Sequence, residues 1–203
     1  MNITDKDDVI DFPSDIWGSI YNHQSELMNK YRNIEEQNGF KEIEIPIRIN
    51  DPFAQAKIKD FFWRTTEELM EAKEAFNNDE DLHFKEELAD ALHFLTEAYV
   101  MMDLRDQYPI GIRQAENFSH LNFESISELF LYPIYHMGLA ANCLKNKPWK
   151  STHVPTDIQK FISHLNDAME SLINLFDRCT EKEVYNLYFK KNQVNQDRIK
   201  SNY

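Results

Sequence analysis

The sequence predicts an all-α protein, a bundle of about five to six helices. Three observations predict it. Glycine and proline are scarce, at 4 and 7 among 203 residues, so little punctuates the chain. Apolar side chains recur at three- and four-residue spacing over long stretches, the mark of helices with one buried face. Capping and stop residues bracket those stretches. With 42% hydrophobic and 13% aromatic residues, the chain suits one folded domain with its own core and is not disordered.

The elements follow in order. Residues 1–13 are acidic and polar and are expected to form a poorly fixed arm, leaving 14–203 as one domain. Ser14 or Asp15 can cap a first helix with the stripe Ile16, Ile20, Leu27, Met28, Tyr31 and Ile34; Asn38-Gly39 stops it. Residues 40–50 (FKEIEIPIRIN) alternate apolar and polar and read as extended, with Pro46 confining them to an edge or a connection. Asp51-Pro52 opens a second helix over about 53–76, and a polar break at 77–81 precedes a third over about 82–105. Pro109 and Gly111 place a loop at 106–123. A fourth helix spans about 124–146, with Pro133 expected to kink it and Gly138, Ala140 and Ala141 admitting a close neighbour. Thr156-Asp157 starts a fifth. Its Phe161, Leu165, Met169, Leu172 and Phe176 form a broad apolar face suited to a bundle or a dimer interface, and a homodimer is expected. A short last helix from about Glu181 leads into a tail, 188–203 (YFKKNQVNQDRIKSNY).

Charge narrows the function. A formal net charge of −13 speaks against a nucleic-acid backbone or an anionic membrane as partner. A polyphosphate would also be repelled unless local Lys, Arg or metal intervened. Cys143 and Cys179 have no metal-like spacing and read as reduced residues of a cytoplasmic protein. No signal peptide or membrane-length apolar run is visible.

Two acidic pairs stand out against this background. Glu68 precedes Glu71 by three residues in 65–76 (TTEELMEAKEAF), and Glu87 precedes Asp90 by three in 84–95 (FKEELADALHFL). An i, i+3 pair shares one side of a helix, so two adjacent helices would bring four carboxylates together. Like charges that close raise one another's pKa and are costly until a cation binds, and hard oxygen ligands suit Mg²⁺ or Mn²⁺. Most E-x-x-E spacings are solvated faces. Asp90 departs from that pattern: Leu88, Ala89, Ala91, Leu92, Phe94 and Leu95 surround it with apolar residues, and a buried acid needs a partner. Spacing alone leaves Glu67 open beside Glu68 as first ligand.

E-x-x-E, a gap, then E-x-x-D followed by A-L-H-F resembles the all-α nucleoside triphosphate pyrophosphohydrolases: dimeric dUTPases, phage dCTPase/dUTPases and MazG-type proteins. The resemblance implies Glu68, Glu71, Glu87 and Asp90 as ligands of two or three Mg²⁺, with Glu68 or Glu71 also serving the attacking water. His93 follows Asp90 by three, and a supporting hydrogen bond or plain packing is expected of it, since Mg²⁺ rarely takes imidazole. The tail is similar to the dUTPase pattern K-x-x-x-N-x-x-R plus an aromatic, which implies phosphate contacts from Lys191, Asn195, Arg198 and Tyr203. The family's amide-bearing first helix implies Gln24 or Asn29 at the base. Lys147, Trp149 and Lys150 form a basic-aromatic cluster, read either as cations complementing a helix C-terminus or as a phosphate contact.

The activity implied is Mg²⁺-dependent hydrolysis of a pyrimidine deoxynucleoside triphosphate, dUTP first and dCTP second, to the monophosphate and pyrophosphate, in the host cytoplasm if phage-encoded. No Walker A sequence is present, which excludes a P-loop mechanism on pattern. The competing readings are a MazG-like enzyme of broad NTP specificity and a non-catalytic helical interaction protein with an acidic face.

Overall fold

The computed structural model describes residues 12–40, 43–107, 128–176 and 179–201. Among them are six α-helices and no strand: α1 (Ile16–Gln37), α2 (Pro52–Asn77), α3 (Asp81–Met102), α4 (Leu131–Cys143), α5 (Ile158–Asn174) and α6 (Glu181–Lys200). A 3₁₀ turn spans Arg105–Gln107. The expected arm before residue 12 and most of the expected loop at 106–123 lie outside the described residues.

Local chemistry sets most helix starts. Asp15 caps α1 by accepting from the Gly18 N–H at 2.8 Å, and its other oxygen meets Arg105 at 3.1 Å. Asp51 caps α2 ahead of Pro52, whose missing N–H is harmless in a first turn. Asp157 caps α5, and Thr180 with Glu183 forms a capping box at α6. α1 ends before Gly39, which takes φ +83°, and α3 ends on Asp103 in the left-handed region, φ 54°. Two expectations change in detail. Pro133 falls in the first turn of α4, where it removes no helical hydrogen bond and imposes no mid-helix kink. The segment read as a tail is helical to Lys200, because the capping box and the buried Val184, Tyr185, Tyr188 and Asn192 anchor one continuous α6.

α3 is the axis of the bundle. It pairs with α2 through a tight turn at 78–80 and also packs on α1, α5 and α6, while α4 and α5 form a second pair. Leu88, Ala91, Leu92, Leu95, Ala98 and Tyr99 of α3 are essentially solvent-free, so the apolar side chains expected all round this helix do face neighbours on all sides. Residues 43–49 form an irregular connection that bends at Ile45-Pro46; Ile43, Ile45, Ile47 and Ile49 pack on the core, and Ile47 donates to the Met101 carbonyl at 2.9 Å. The connection between α4 and α5 is tied to the start of α2 by two buried amides. Gln55 accepts from the Asn146 N–H at 2.7 Å and donates to the Ile49 carbonyl at 2.7 Å; Asn146 donates to the Asn50 carbonyl at 3.0 Å. No helix among the described residues is long and apolar enough to cross a membrane.

Candidate active site

The α2–α3 pairing brings the acids together. One carboxylate oxygen from each of Glu68, Glu87 and Asp90 lies within 4.8 Å of the others. Glu87 is buried, and Glu68 and Asp90 are half-buried. Burial, a hydrogen bond to Glu87 and the charges of Asp90, Glu87 and Glu71 push the Glu68 carboxyl up to about 8. Glu71 therefore lies close enough to be felt, although it is exposed and outside the trio. Glu67 points elsewhere, accepting from Trp63 Nε1 at 2.9 Å on an exposed face.

Lys191 of α6 reaches Asp90 Oδ2 at 2.5 Å. Burial still raises Asp90 to about 6 against the pull of Lys191; Glu87 adds to the rise. Burial acts to lower Lys191, but its hydrogen bond to Asp90 and the charges of Asp90, Glu87 and Glu86 outweigh it, so its pKa rises. Both directions are consistent: a half-buried cation faces more than one acid, and each acid has less than one full cation.

From this cluster a cavity of about 430 Å³ extends along α1, α2, α3 and α6. Glu68, Asp90, Arg64, Asn195, Arg198, Gln24, Glu97, Phe61, Phe94 and Tyr31 are among the residues that line it. Glu97 follows Asp90 by seven residues, two turns or about 10 Å of helix rise. This spacing suits a nucleoside reaching from base to α-phosphate.

The Gln24 end is a buried polar chain. Gln24 Nε2 is 2.9 Å from Glu97 Oε1, and Gln24 Oε1 is 2.8 Å from His93 Nδ1 and 2.6 Å from the Tyr188 hydroxyl. His93 Nε2 lies 3.1 Å from the Tyr188 carbonyl, which can only accept, so Nε2 carries the proton. Burial holds His93 down to about 3, hence neutral with a bare Nδ1. A bare Nδ1 must receive. Turning the Gln24 amide by a half-rotation leaves every heavy atom in place, lets Nε2 donate to His93 and sets the amide oxygen against Glu97. That requires Glu97 to be protonated, and burial does raise its carboxyl to about 8, against the pull of Lys57 and Gln24. The chain then closes with every member neutral. Glu97 is also one of the residues that line the cavity.

Of the residues singled out from sequence, the structure gathers Glu68, Glu87, Asp90, Lys191, Gln24, Asn195 and Arg198 around this cavity. His93 takes the supporting hydrogen bonds expected of it. Asn29 is not among them: it is exposed and accepts from Arg32 at 3.4 Å. Lys147, Trp149 and Lys150 are also elsewhere. Lys147 sits over the Trp149 ring at 5.3 Å, and Lys147 and Lys150 line a separate cavity with Lys59 and Lys145. The physical reason is the Gln55–Asn146 tie, which holds that connection 13 residues, about 20 Å of helix rise, from Glu68. Tyr203 lies outside the described residues. Glu97, Lys57, Phe61 and Phe94 were missed. Glu97 had a signal: an acid in the apolar run LTEAYV, on the same helix face as His93 and Asp90, meets the test that singled out Asp90.

A family model described as dUTPase matches residues 17–203. No curated protein and no solved structure matches the chain. Apart from Ile16, the matched span covers all six helices, and it includes every residue lining the acid-lined cavity. With this fold, this cavity and that match, the chain belongs to the all-α dUTPase family and is a nucleoside triphosphate pyrophosphatase.

Proposed function

We propose that this protein hydrolyses a pyrimidine deoxynucleoside triphosphate, dUTP first and dCTP second, to the monophosphate and pyrophosphate. The convergence of Glu68, Glu87 and Asp90 at one end of a cavity whose other end presents Gln24 and Glu97 carries this reading. The donor set fits a hard divalent cation: every ligand is a carboxylate oxygen, and burial, helped by the neighbouring acids, lifts Glu68 to about 8. Glu68, Glu87 and Asp90, joined by Glu71 after a side-chain rotation, would hold two or three Mg²⁺, or Mn²⁺. Bound there, the metal supplies charge neutralisation on the phosphates and a water of lowered pKa.

The chain's own residues do the rest. Glu68 or Glu71 orients the attacking water and receives its proton. Arg198 and Asn195, with Arg64, face the distal phosphates. Lys191 supplies positive charge beside Asp90 that the acidic surface lacks. Phe61 and Phe94 sandwich or edge the base. Gln24 and the neutral Glu97 read its polar edge. With its proton directed at Gln24, the Glu97 carboxyl has acceptor capacity left for a base, and both uracil (N3–H) and cytosine (N4–H) offer it a donor. This supports a pyrimidine preference common to both bases.

A panel of dNTPs with Mg²⁺, scored for monophosphate and pyrophosphate, tests the reading. Turnover of dUTP or dCTP well above the purine nucleotides is expected, with loss of at least 100-fold in Asp90→Ala and Glu68→Gln. Equal turnover of all NTPs would favour a broad MazG-like activity. Full activity in Asp90→Ala would overturn the site.

A further inference from the structure

We propose that His136, His164 and Asp167 form a second metal site, of the zinc type, that clips α4 to α5 and is separate from the acidic cluster. His136 lies on α4, while His164 and Asp167, three residues apart, share one face of α5. The two imidazole Nδ1 atoms converge on the same carboxylate oxygen, Asp167 Oδ2, at 3.5 Å and 3.8 Å. One donor atom from each of the three residues lies within 4.8 Å of the others. Ligands of a tetrahedral zinc, bonded at about 2.0–2.1 Å, stand roughly 3.3–3.5 Å apart. Small side-chain rotations bridge that gap.

The independent observation is at the ring nitrogens. Both Nδ1 atoms are shut off from solvent, and neither has a hydrogen-bond partner among the described residues. Distances of 3.5 Å and 3.8 Å to Asp167 are too long for hydrogen bonds, so the contact leaves both nitrogens unsatisfied. Buried polar atoms left so are costly. A cation where the three donors meet satisfies both rings at once and neutralises Asp167.

Ligand chemistry sorts the two sites. Two imidazoles and one carboxylate favour Zn²⁺, and Ni²⁺ or Cu²⁺ after it, whereas Mg²⁺ prefers the all-oxygen trio on α2 and α3. The three side chains remain 23%, 19% and 44% exposed, so the ion can enter from solvent and a water completes its shell. The consequence is structural, since α4 and α5 are otherwise joined only by a 14-residue connection and their packing.

The test uses the full chain, stripped with a chelator and then saturated with Mg²⁺ so that the acidic cluster is occupied. Titrating Zn²⁺ by calorimetry should give one equivalent per chain and an upward shift in Tm. Co²⁺ in its place should give the intense visible bands of four-coordinate nitrogen–oxygen ligation. His136→Gln and Asp167→Asn, checked for folding by circular dichroism, should weaken Zn²⁺ binding at least about tenfold. Glu68→Gln should leave it unchanged. Absence of saturable Zn²⁺ binding overturns the proposal, as does binding that survives both substitutions or disappears in Glu68→Gln. Should the variants fail to fold, the wild-type Co²⁺ spectrum decides: the faint bands of octahedral all-oxygen ligation would overturn it.

Discussion

Replacing Glu97 by glutamine should stabilise the protein, increasingly so as pH rises. The carboxyl is raised from an ordinary 4.5 to about 8 in the folded chain, by burial first. Between those two values the folded state holds a proton that the unfolded state has lost. Stability contributed by the group is therefore intact below about 4.5, falls by about 1.4 kcal/mol per pH unit above it, and levels off beyond about 8. At pH 7 the accumulated loss is roughly 2.5 units, or about 3 kcal/mol, a large share of a domain's usual 5–15 kcal/mol. The amide keeps the shape and a contact to Gln24 but cannot ionise. Urea unfolding of metal-free wild type and Glu97→Gln from pH 4.5 to 9 measures it, with the difference at pH 4.5 as baseline so that altered hydrogen bonding cancels. A gap opening by about 3 kcal/mol at pH 7 and flattening above pH 8 is expected. A pH-independent gap would refute the reasoning, because it would mean that Glu97 is ionised in the folded protein and balanced by Lys57, and the neutral chain through Gln24 and His93 would then fail.

Three further outcomes follow. Mg²⁺ should raise Tm in wild type, by the equivalent of about 2.7 kcal/mol at 100 times its Kd, and differential scanning fluorimetry should show no such rise in an Asp90→Asn, Glu87→Gln double variant. Lys191→Met should lower metal-free stability by roughly 1–3 kcal/mol at pH 8, because Asp90 then stays half-buried without its cation; urea midpoints check it, and saturating Mg²⁺ should recover most of the loss. Thr180→Ala should cost about 1 kcal/mol by removing the α6 cap, and should raise KM for the nucleotide more than it lowers kcat, since α6 carries Lys191, Asn195 and Arg198.

The amino-acid sequence by itself determined the helical class, where α1, α2, α3, α5 and α6 start, and three of the four acids expected to meet, Glu68, Glu87 and Asp90. These rest on local physics: Asp15, Asp51, Asp157 and Thr180 are caps wherever the chain places them, and an i, i+3 acid pair shares a face in any helix. Asp90 was legible for the same reason, as a charge in an apolar run. Tertiary structure decided the rest. Whether Glu67 or Glu68 turns inward depends on how α2 is rotated against α3, a matter of packing Leu69, Ala72 and Leu92, which no spacing encodes. The Lys147–Trp149–Lys150 cluster looked competent to meet phosphate, yet two buried amides hold it at the far end of α2. The Glu97–Gln24–His93–Tyr188 chain joins three helices that are distant in sequence, so its protonation pattern exists only once α1 and α6 close over α3.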